Sequence, residues 1–430
     1  MAKARMRRRK LNTAALIRDV DIQDVGARGD GISMPTPDER LYVSLTLAGE
    51  RVRASVEGDR GELIDVLAAS PERVSPPCPH FGTCGGCAFQ HWSLPGQLGW
   101  KSDQVRQALA REGLDTDLRP VIATPPGARR RVALHARPGR DGTARLGFKG
   151  RRSWALTEIE ACSVADPHIV AALPGLQTLA AAFLDHPKSA PTLRVTVTQT
   201  GLDVEVTGVE RKSGGLSVDR MMQAAEAASG LDLARLTLGG EPIYQARRPV
   251  VRIGPAEVEP PPGAFLQAVP QAEAAMQAAC LAAVQGASRA ADLFCGLGAF
   301  ALPMAAHVPV LAADSAAESI AAMQAAAVRT PGLKPIQATT RDLFREPVSA
   351  MELKGCDVVV FDPPRAGGLE QAREIARSDA ARVVGISCNP TTFARDARVL
   401  VDAGWRLEHV TPVDQFLWSS HIELIGVFGR

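Results

Sequence analysis

Beyond the triple proline Pro260-Pro261-Pro262, helical and strand-like segments alternate through the rest of the chain, and this rhythm leaves few folds open. Gln271 to Val284 has helical spacing. Ala290-Ala291-Asp292-Leu293-Phe294 reads as a strand, and Cys295-Gly296-Leu297-Gly298-Ala299-Phe300 as a glycine turn that opens a helix. Val310 to Asp314 is the next strand and ends in an acid. Asp357 to Asp362 is another, running into Pro363-Pro364-Arg365. Val383-Val384-Gly385-Ile386 is a short β-branched strand, and the Asn389-Pro390 turn ends it just past Cys388. Leu407–Val413 and Ile422–Phe428 complete the set. Strands and helices in alternation predict a doubly wound α/β domain over residues 263–430, with its chemistry at the carboxyl ends of the strands.

Upstream the pattern differs. Short strand-like runs, Val20–Ile22, Leu41–Leu45, Val52–Val56 and Leu63–Leu67, are separated by glycines and prolines, which predicts a small β-barrel over 17–75. Residues 76–262 read as an α+β domain. A helix is expected over Leu98–Glu112, a hairpin pairs Leu193–Gln199 with Leu202–Val206, and alanine-rich helices cover 169–184 and 221–229. The chain is therefore expected to be multidomain, which its 430 residues allow.

The net charge of +2 means that any nucleic-acid surface must be local. Two basic sets exist. Lys3, Arg5, Arg7, Arg8, Arg9 and Lys10 form a basic arm, expected to be disordered, within residues 1–16. Arg129, Arg130, Arg131, Arg137, Arg140, Arg145, Lys149, Arg151 and Arg152 form the second set. Each is a solvated face or a phosphate contact. No secretory leader and no apolar run long enough for a bilayer is read, so a cytoplasmic protein is expected.

Three of the eight cysteines lie together in Cys78-Pro79-His80-Phe81-Gly82-Thr83-Cys84-Gly85-Gly86-Cys87. So dense a set points to a metal centre in a reducing compartment, not to a disulfide scaffold. Zinc would want four ligands, commonly as paired Cys-x-x-Cys. An iron–sulfur cluster wants four thiolates, often three close and one remote, and Cys162 is the remote candidate. That pattern favours iron–sulfur. His80 and His91 are nearby alternatives.

Asp292-x-x-x-Gly296-x-Gly298 after a strand lacks the third glycine of the dinucleotide fingerprint. With Asp314 closing the next strand, positioned for a ribose hydroxyl, it suggests a nucleoside cofactor without a pyrophosphate, S-adenosylmethionine; the alternative is a tight turn and helix cap. Asp362-Pro363-Pro364 fixes a carboxylate at a strand end. An aromatic residue next would suggest methylation of an exocyclic amine; Arg365 and the nearby Cys388 favour attack on a ring carbon instead. A thiolate adding at carbon 6 of a pyrimidine makes carbon 5 nucleophilic, and a base must later remove the carbon 5 proton. Cys388, Glu423 and Asp362 can supply the thiol, the base and a polar group for the base edge. Read alone, Cys388 fits a small buried apolar residue better, and Glu423 an edge-strand charge. Their company changes both readings.

Five motifs in this order resemble the RNA uracil-5-methyltransferase family, most closely its iron–sulfur branch acting on 23S ribosomal RNA: Cys78-x5-Cys84-Gly-Gly-Cys87, Asp292–Gly298, Phe361–Gly367, Ser387–Pro390 and His421–Glu423. The resemblance runs from about residue 17 onward. It implies an N-terminal TRAM barrel, a central domain with a 4Fe-4S cluster on Cys78, Cys84, Cys87 and Cys162, and a C-terminal Rossmann-like methyltransferase domain. It implies Cys388 as nucleophile, Glu423 as base, and Asp362 at the uracil and the cofactor. Cofactor contacts are expected at Gln267, Phe294, Gly296, Asp314, Asp342 and Asp362. An enzyme is expected, a monomer, with RNA as its partner, ribosomal first and transfer RNA second; an iron–sulfur RNA-binding protein with an idle methyltransferase domain is the non-enzymatic alternative. Three departures stand out. Val269 replaces the Asn of Phe-x-Gln-x-Asn, Asp314 stands where Glu is usual, and Gln415-Phe416-Leu417-Trp418 replaces the Phe-Pro usual after Asp414.

Overall fold

The computed structural model describes residues 15–139, 143–184, 186, 189–209 and 216–430. The basic arm from Lys3 to Lys10 and Arg140 lie outside them. The chain divides into two compact units, one of residues up to Pro76 with Ala88–Gln97, the other of Pro77–Cys87 with Leu98–Arg430.

The first unit is a six-stranded sheet in the order Leu16–Asp21, Arg51–Glu57, Arg60–Ala68, Glu39–Val43, Gly31–Thr36, Asp24–Val25. Its pairs are antiparallel except Glu39–Val43 with Arg60–Ala68. Arg51–Glu57 alternates outward charge with inward Val52, Ala54 and Val56, the period-two pattern that buries one face. Ala88–Gln97 adds Phe89, fully buried, with Trp92 edge-on at 5.5 Å.

The second unit holds two large sheets. One has seven strands, Leu156–Glu158, Ala144–Lys149, Arg131–Pro138, Thr192–Thr198, Gly201–Thr207, Arg235–Leu238 and Glu241–Gln245. The expected hairpin is present and closes at Thr198 opposite Gly201. Helices Leu173–Ala181 and Val218–Gly230 supply Leu176, Leu179, Ala224 and Ala228 to its core.

The other sheet positions the site. Its order is Ile336–Thr340, Val310–Asp314, Ala290–Leu293, Val358–Phe361, Arg382–Ser387, Glu423–Gly429, Arg406–Asp414, followed by Asp117–Leu118. The first five are parallel, and Glu423–Gly429 runs antiparallel between its neighbours. Chain order reverses at Ala290–Leu293, so the crevice beside its carboxyl end is where such a sheet takes a ligand. The central runs Val358–Phe361 and Val383–Ile386 are wholly apolar and buried, as strands covered on both faces must be.

One element departs from the sequence reading in its packing. The helix Leu94–Arg111 sends Val105, Ala108 and Leu109 into the core of this C-terminal sheet, and Asp117–Leu118 and Ile122–Ala123 pair with Arg406–Asp414. Among the described residues, no helix is long and apolar enough to cross a membrane.

Candidate active site

Strand register brings the chemical groups to one edge. Leu293 lies beside Phe361, and Phe361 beside Gly385, so Phe294 and Asp362 leave the sheet at one level. Ser387 pairs with Leu424 and Val413 with Glu423. The antiparallel strand therefore begins, at Glu423, beside the end of the strand Arg382–Ser387, which Cys388 directly follows. A cavity of about 720 Å³ opens there. Gln267, Phe294, Gly296, Asp314, Asp342, Asp362, Cys388 and Glu423 all line it.

The glycine turn is built for close approach. Gly296 has φ +52°, and its N–H donates to Asp314 Oδ2 at 2.9 Å. A Cβ on Gly298, at φ +83°, would stand 2.6 Å from Met323 Sδ. Asp314 also accepts from Ala316 N at 2.7 Å, so the acid expected to meet a ribose also fastens the turn. Phe294 itself sits at φ +64°, a strained conformation for a non-glycine residue, and its ring lies 5.6 Å from that of Phe344. Asp342 accepts from Phe344 N at 3.0 Å and so shapes this aromatic wall.

At the opposite end a chain of carboxamides links the two carboxylates. Gln415 Oε1 accepts from Ala268 N at 3.0 Å, which fixes the direction of its amide. Its Nε2 then donates to Gln267 Oε1 and to Glu423 Oε2, both at 3.0 Å. Gln267 Nε2 donates in turn to Asp362 Oδ2 at 3.1 Å. Burial raises both acids, Asp362 to about 7 with the nearby charge of Asp314 adding to the rise and the Gln267 bond opposing it. Glu423 is raised by burial and by the charge of Asp362, against the bond from Gln415. Cys388, half-buried, is pushed up to about 11 by burial first, then by Glu423 and Asp362, while Arg365 works the other way.

Gln415 was visible in sequence only as a departure, and the sequence reading missed its role. Lys101 and Arg130 were missed as well. Lys101 is fully buried, pairs with Asp414 and donates to the carbonyl of Phe416 at 3.2 Å, so it holds both neighbours of Gln415. Arg130, expected among solvated or phosphate-binding charges, is buried instead. It pairs with Glu273 and donates from Nε to the carbonyl of Gln267 at 3.0 Å. Arg129 and Arg131 lie over Phe416 and Phe265, 5.8 and 5.3 Å from the ring centres.

Comparison with known proteins places this geometry. Residues 261–429 match the profile of tRNA (uracil-5-)-methyltransferases. The chain is 59% identical over 415 residues to an RNA methyltransferase of Caulobacter vibrioides, covering 96% of this chain and all of that one. It is 30% identical to the 23S rRNA (uracil(1939)-C(5))-methyltransferase of Halomonas elongata, over 94% of this chain and 88% of the other. The chain belongs to the RNA uracil-5-methyltransferase family. In fold it resembles the Pyrococcus abyssi tRNA (uracil-54, C5)-methyltransferase solved with S-adenosyl-L-homocysteine, with a TM-score of 0.74 at 20% identity, over 95% of this chain and 99% of that one.

The family's cysteine pattern can be tested against the second unit. Cys78, Cys84, Cys87 and Cys162 are all half-buried. They share one neighbourhood: the Cys84 thiol is raised by burial, with smaller contributions from Cys162 and Cys78, and Arg129 senses both Cys162 and Cys87. His80 Nε2 accepts from Glu160 N at 3.1 Å and ties the cysteine loop to the Cys162 segment. Among the described residues no three His, Cys, Asp or Glu side chains close around a single ion. Four thiols in one neighbourhood are the donor set that a zinc ion or an iron–sulfur cluster would take. His91 is buried in the first unit.

The raised Asp362 carboxyl has a consequence for stability. The folded protein holds this proton more tightly than the unfolded chain, so the contribution is full below the ordinary carboxylate range and is lost as pH rises towards 7. An Asp362→Asn variant is expected to melt higher than the parent by roughly one to a few degrees at pH 8. The gain should shrink at pH 5. Differential scanning fluorimetry at both pH values checks this, and a gain that is larger at pH 5 contradicts it.

Proposed function

We propose that this protein methylates carbon 5 of a uridine in RNA, with S-adenosylmethionine as donor, through a covalent adduct between Cys388 and carbon 6 of the base. The observation that carries this reading is the convergence of Cys388, Asp362 and Glu423 on one cavity, with the two acids joined through Gln267 and Gln415.

The cavity divides by its lining. Phe294 and Phe344, Gly296, Asp314 and Asp342 form the cofactor end, where aromatic faces suit an adenine and the acids suit ribose hydroxyls. Gln267 and Asp362 stand where cofactor and base meet. S-adenosylmethionine supplies the methyl group as an electrophile. Cys388 Sγ adds to carbon 6, and the carbon 5–carbon 6 electron pair moves towards the carbon 4 carbonyl oxygen. Carbon 5 of this enolate would take the methyl as the methyl–sulfur bond breaks, its electron pair staying on sulfur and the neutral thioether leaving. Glu423 then removes the carbon 5 proton, the double bond re-forms, the carbon 6–sulfur bond breaks, and Cys388 leaves as thiolate. A carboxylate raised by burial is basic enough to take that proton and returns it to solvent. The target base must be unpaired or flipped to bring carbon 6 to the thiol.

We assign residues 17–75 to a TRAM-like barrel, 76–262 to a central domain holding a structural 4Fe-4S cluster on Cys78, Cys84, Cys87 and Cys162, and 263–430 to the methyltransferase domain of a monomer. The Halomonas relative favours 23S ribosomal RNA as substrate, and the family profile keeps transfer RNA as the second reading. Mass mapping of ribosomal and transfer RNA from a deletion strain decides between them. One 5-methyluridine missing from 23S RNA supports the first, its loss from transfer RNA the second, and no loss from either overturns the activity.

A further inference from the structure

Trp154 is four-fifths exposed, the most exposed tryptophan of the described chain. It stands on a short, closed loop. Gly150 N donates to Ala155 O at 2.8 Å, Ser153 N to Gly150 O at 3.1 Å, and Ala155 N to Ser153 Oγ at 3.0 Å. A loop so closed holds its indole out in water before any partner arrives. Lys149 Nζ lies 4.0 Å from the ring centre and occupies one face, which leaves the other face open.

The loop is joined to the route towards the cavity. Gly85 N donates to Lys149 O at 3.0 Å, Gly150 bridges to Cys84, and Thr157 Oγ1 donates to Thr83 O at 3.1 Å. Glu160 N donates to His80 Nε2 at 3.1 Å, which ties the cysteine loop to the Cys162 segment; Arg129 N donates to Val164 O in that segment at 3.1 Å, and Arg129 covers Phe416 on the cavity wall. Cation and aromatic pairs thus stand at both ends of one contiguous set of residues. That is the composition of a single-strand nucleic-acid track, where cations follow the backbone and rings take bases.

We propose that Trp154, backed by Lys149, is a stacking platform for an unpaired base of the substrate RNA outside the catalytic cavity. This rests on the RNA-methyltransferase reading above and adds a subsite to it. Duplex RNA offers no free base face, so the platform selects single-stranded RNA beside the target uridine.

The test uses the full-length protein, a single-stranded oligouridylate and a duplex RNA of equal length. Trp154→Ala is expected to weaken oligouridylate binding by about 5- to 100-fold, with Trp154→Phe recovering part of the loss. Duplex binding and the salt dependence of oligouridylate binding should stay as in the parent, because a lost stack removes no charge. In methylation assays KM for RNA rises while kcat holds. Unchanged oligouridylate affinity overturns the platform, and assigns the exposed ring to a protein partner if one binds there. Equal weakening on duplex and single strand also overturns it. If the parent methylates no RNA, the catalytic reading fails while weaker oligouridylate binding by Trp154→Ala still upholds the platform.

Discussion

A Cys388→Ala protein should bind RNA yet transfer no methyl group, with turnover lower by roughly four orders of magnitude or more. No other thiol is placed to replace it: Cys280 and Cys356 are buried in the core, and Cys295, although it also lines the cavity, is buried in the glycine turn at its cofactor end. Cys388→Ser should be equally inactive, because a hydroxyl at this site has neither the acidity nor the nucleophilicity of a thiol. Single-turnover methylation measured by mass spectrometry of the RNA checks both. Substantial methylation by Cys388→Ala would rule out the covalent route.

The same thiol carries a pH signature. Burial and two nearby acids hold it at about 11, so the thiolate fraction of the free enzyme rises about tenfold per pH unit through the neutral and mildly alkaline range. Alkylation of Cys388 by iodoacetamide, followed on its own peptide, should rise in the same proportion without a plateau below pH 9. Removing a negative neighbour lowers the thiol pKa, so Glu423→Gln should speed alkylation at pH 8. A plateau near neutrality would mean that Arg365 outweighs both acids. On the proposed covalent route the thiol is quiet until substrate is in place, when the positive sulfonium and hydrogen bonds to the uracil carbonyl would favour addition.

Cys388, Asp362 and Glu423 were legible in the sequence because each stands at the edge of a strand that its own apolar run announces. The sheet then brings them together by register alone. What was not legible depends on contacts between distant segments. Gln415 reaches Gln267 across 148 positions, and it lies just past a strand whose register shifts between Leu407 and His409. Period-two reading cannot place residues beyond such a shift. Lys101 was assigned with its helix to the central domain, yet its ammonium is spent on Asp414, 313 positions away. Arg130 looked like one member of a basic run, and only the fold shows it buried against Glu273 and the Gln267 carbonyl. Asp314 was read as a ligand contact, and no sequence rule reveals that the same carboxylate also closes the glycine turn.

Glu423→Gln separates the two halves of the reaction. The amide can still accept from Gln415 Nε2, so the cavity keeps its shape and Cys388 can still add to carbon 6. Methyl transfer should proceed, but no base is left to remove the carbon 5 proton. The carbon 6–sulfur bond then cannot break, and the methylated RNA stays on the protein. A denaturing gel should show a stable protein–RNA adduct, and multiple turnover should fall by about 10²- to 10⁴-fold. Gln415→Met should behave differently. It removes the donor shared by Glu423 and Gln267 but leaves the carboxylate, so elimination slows without stopping, and turnover falls by roughly ten- to a hundredfold with no lasting adduct. The loss should be shared with cofactor binding, since Gln267 no longer has its partner. Retained adduct in Glu423→Gln and its absence in Gln415→Met would identify the acid as the proton acceptor and the amide as its holder. Full turnover by Glu423→Gln, with no adduct, would transfer elimination to another group, with Asp362, raised to about 7 and lining the same cavity, the next to test.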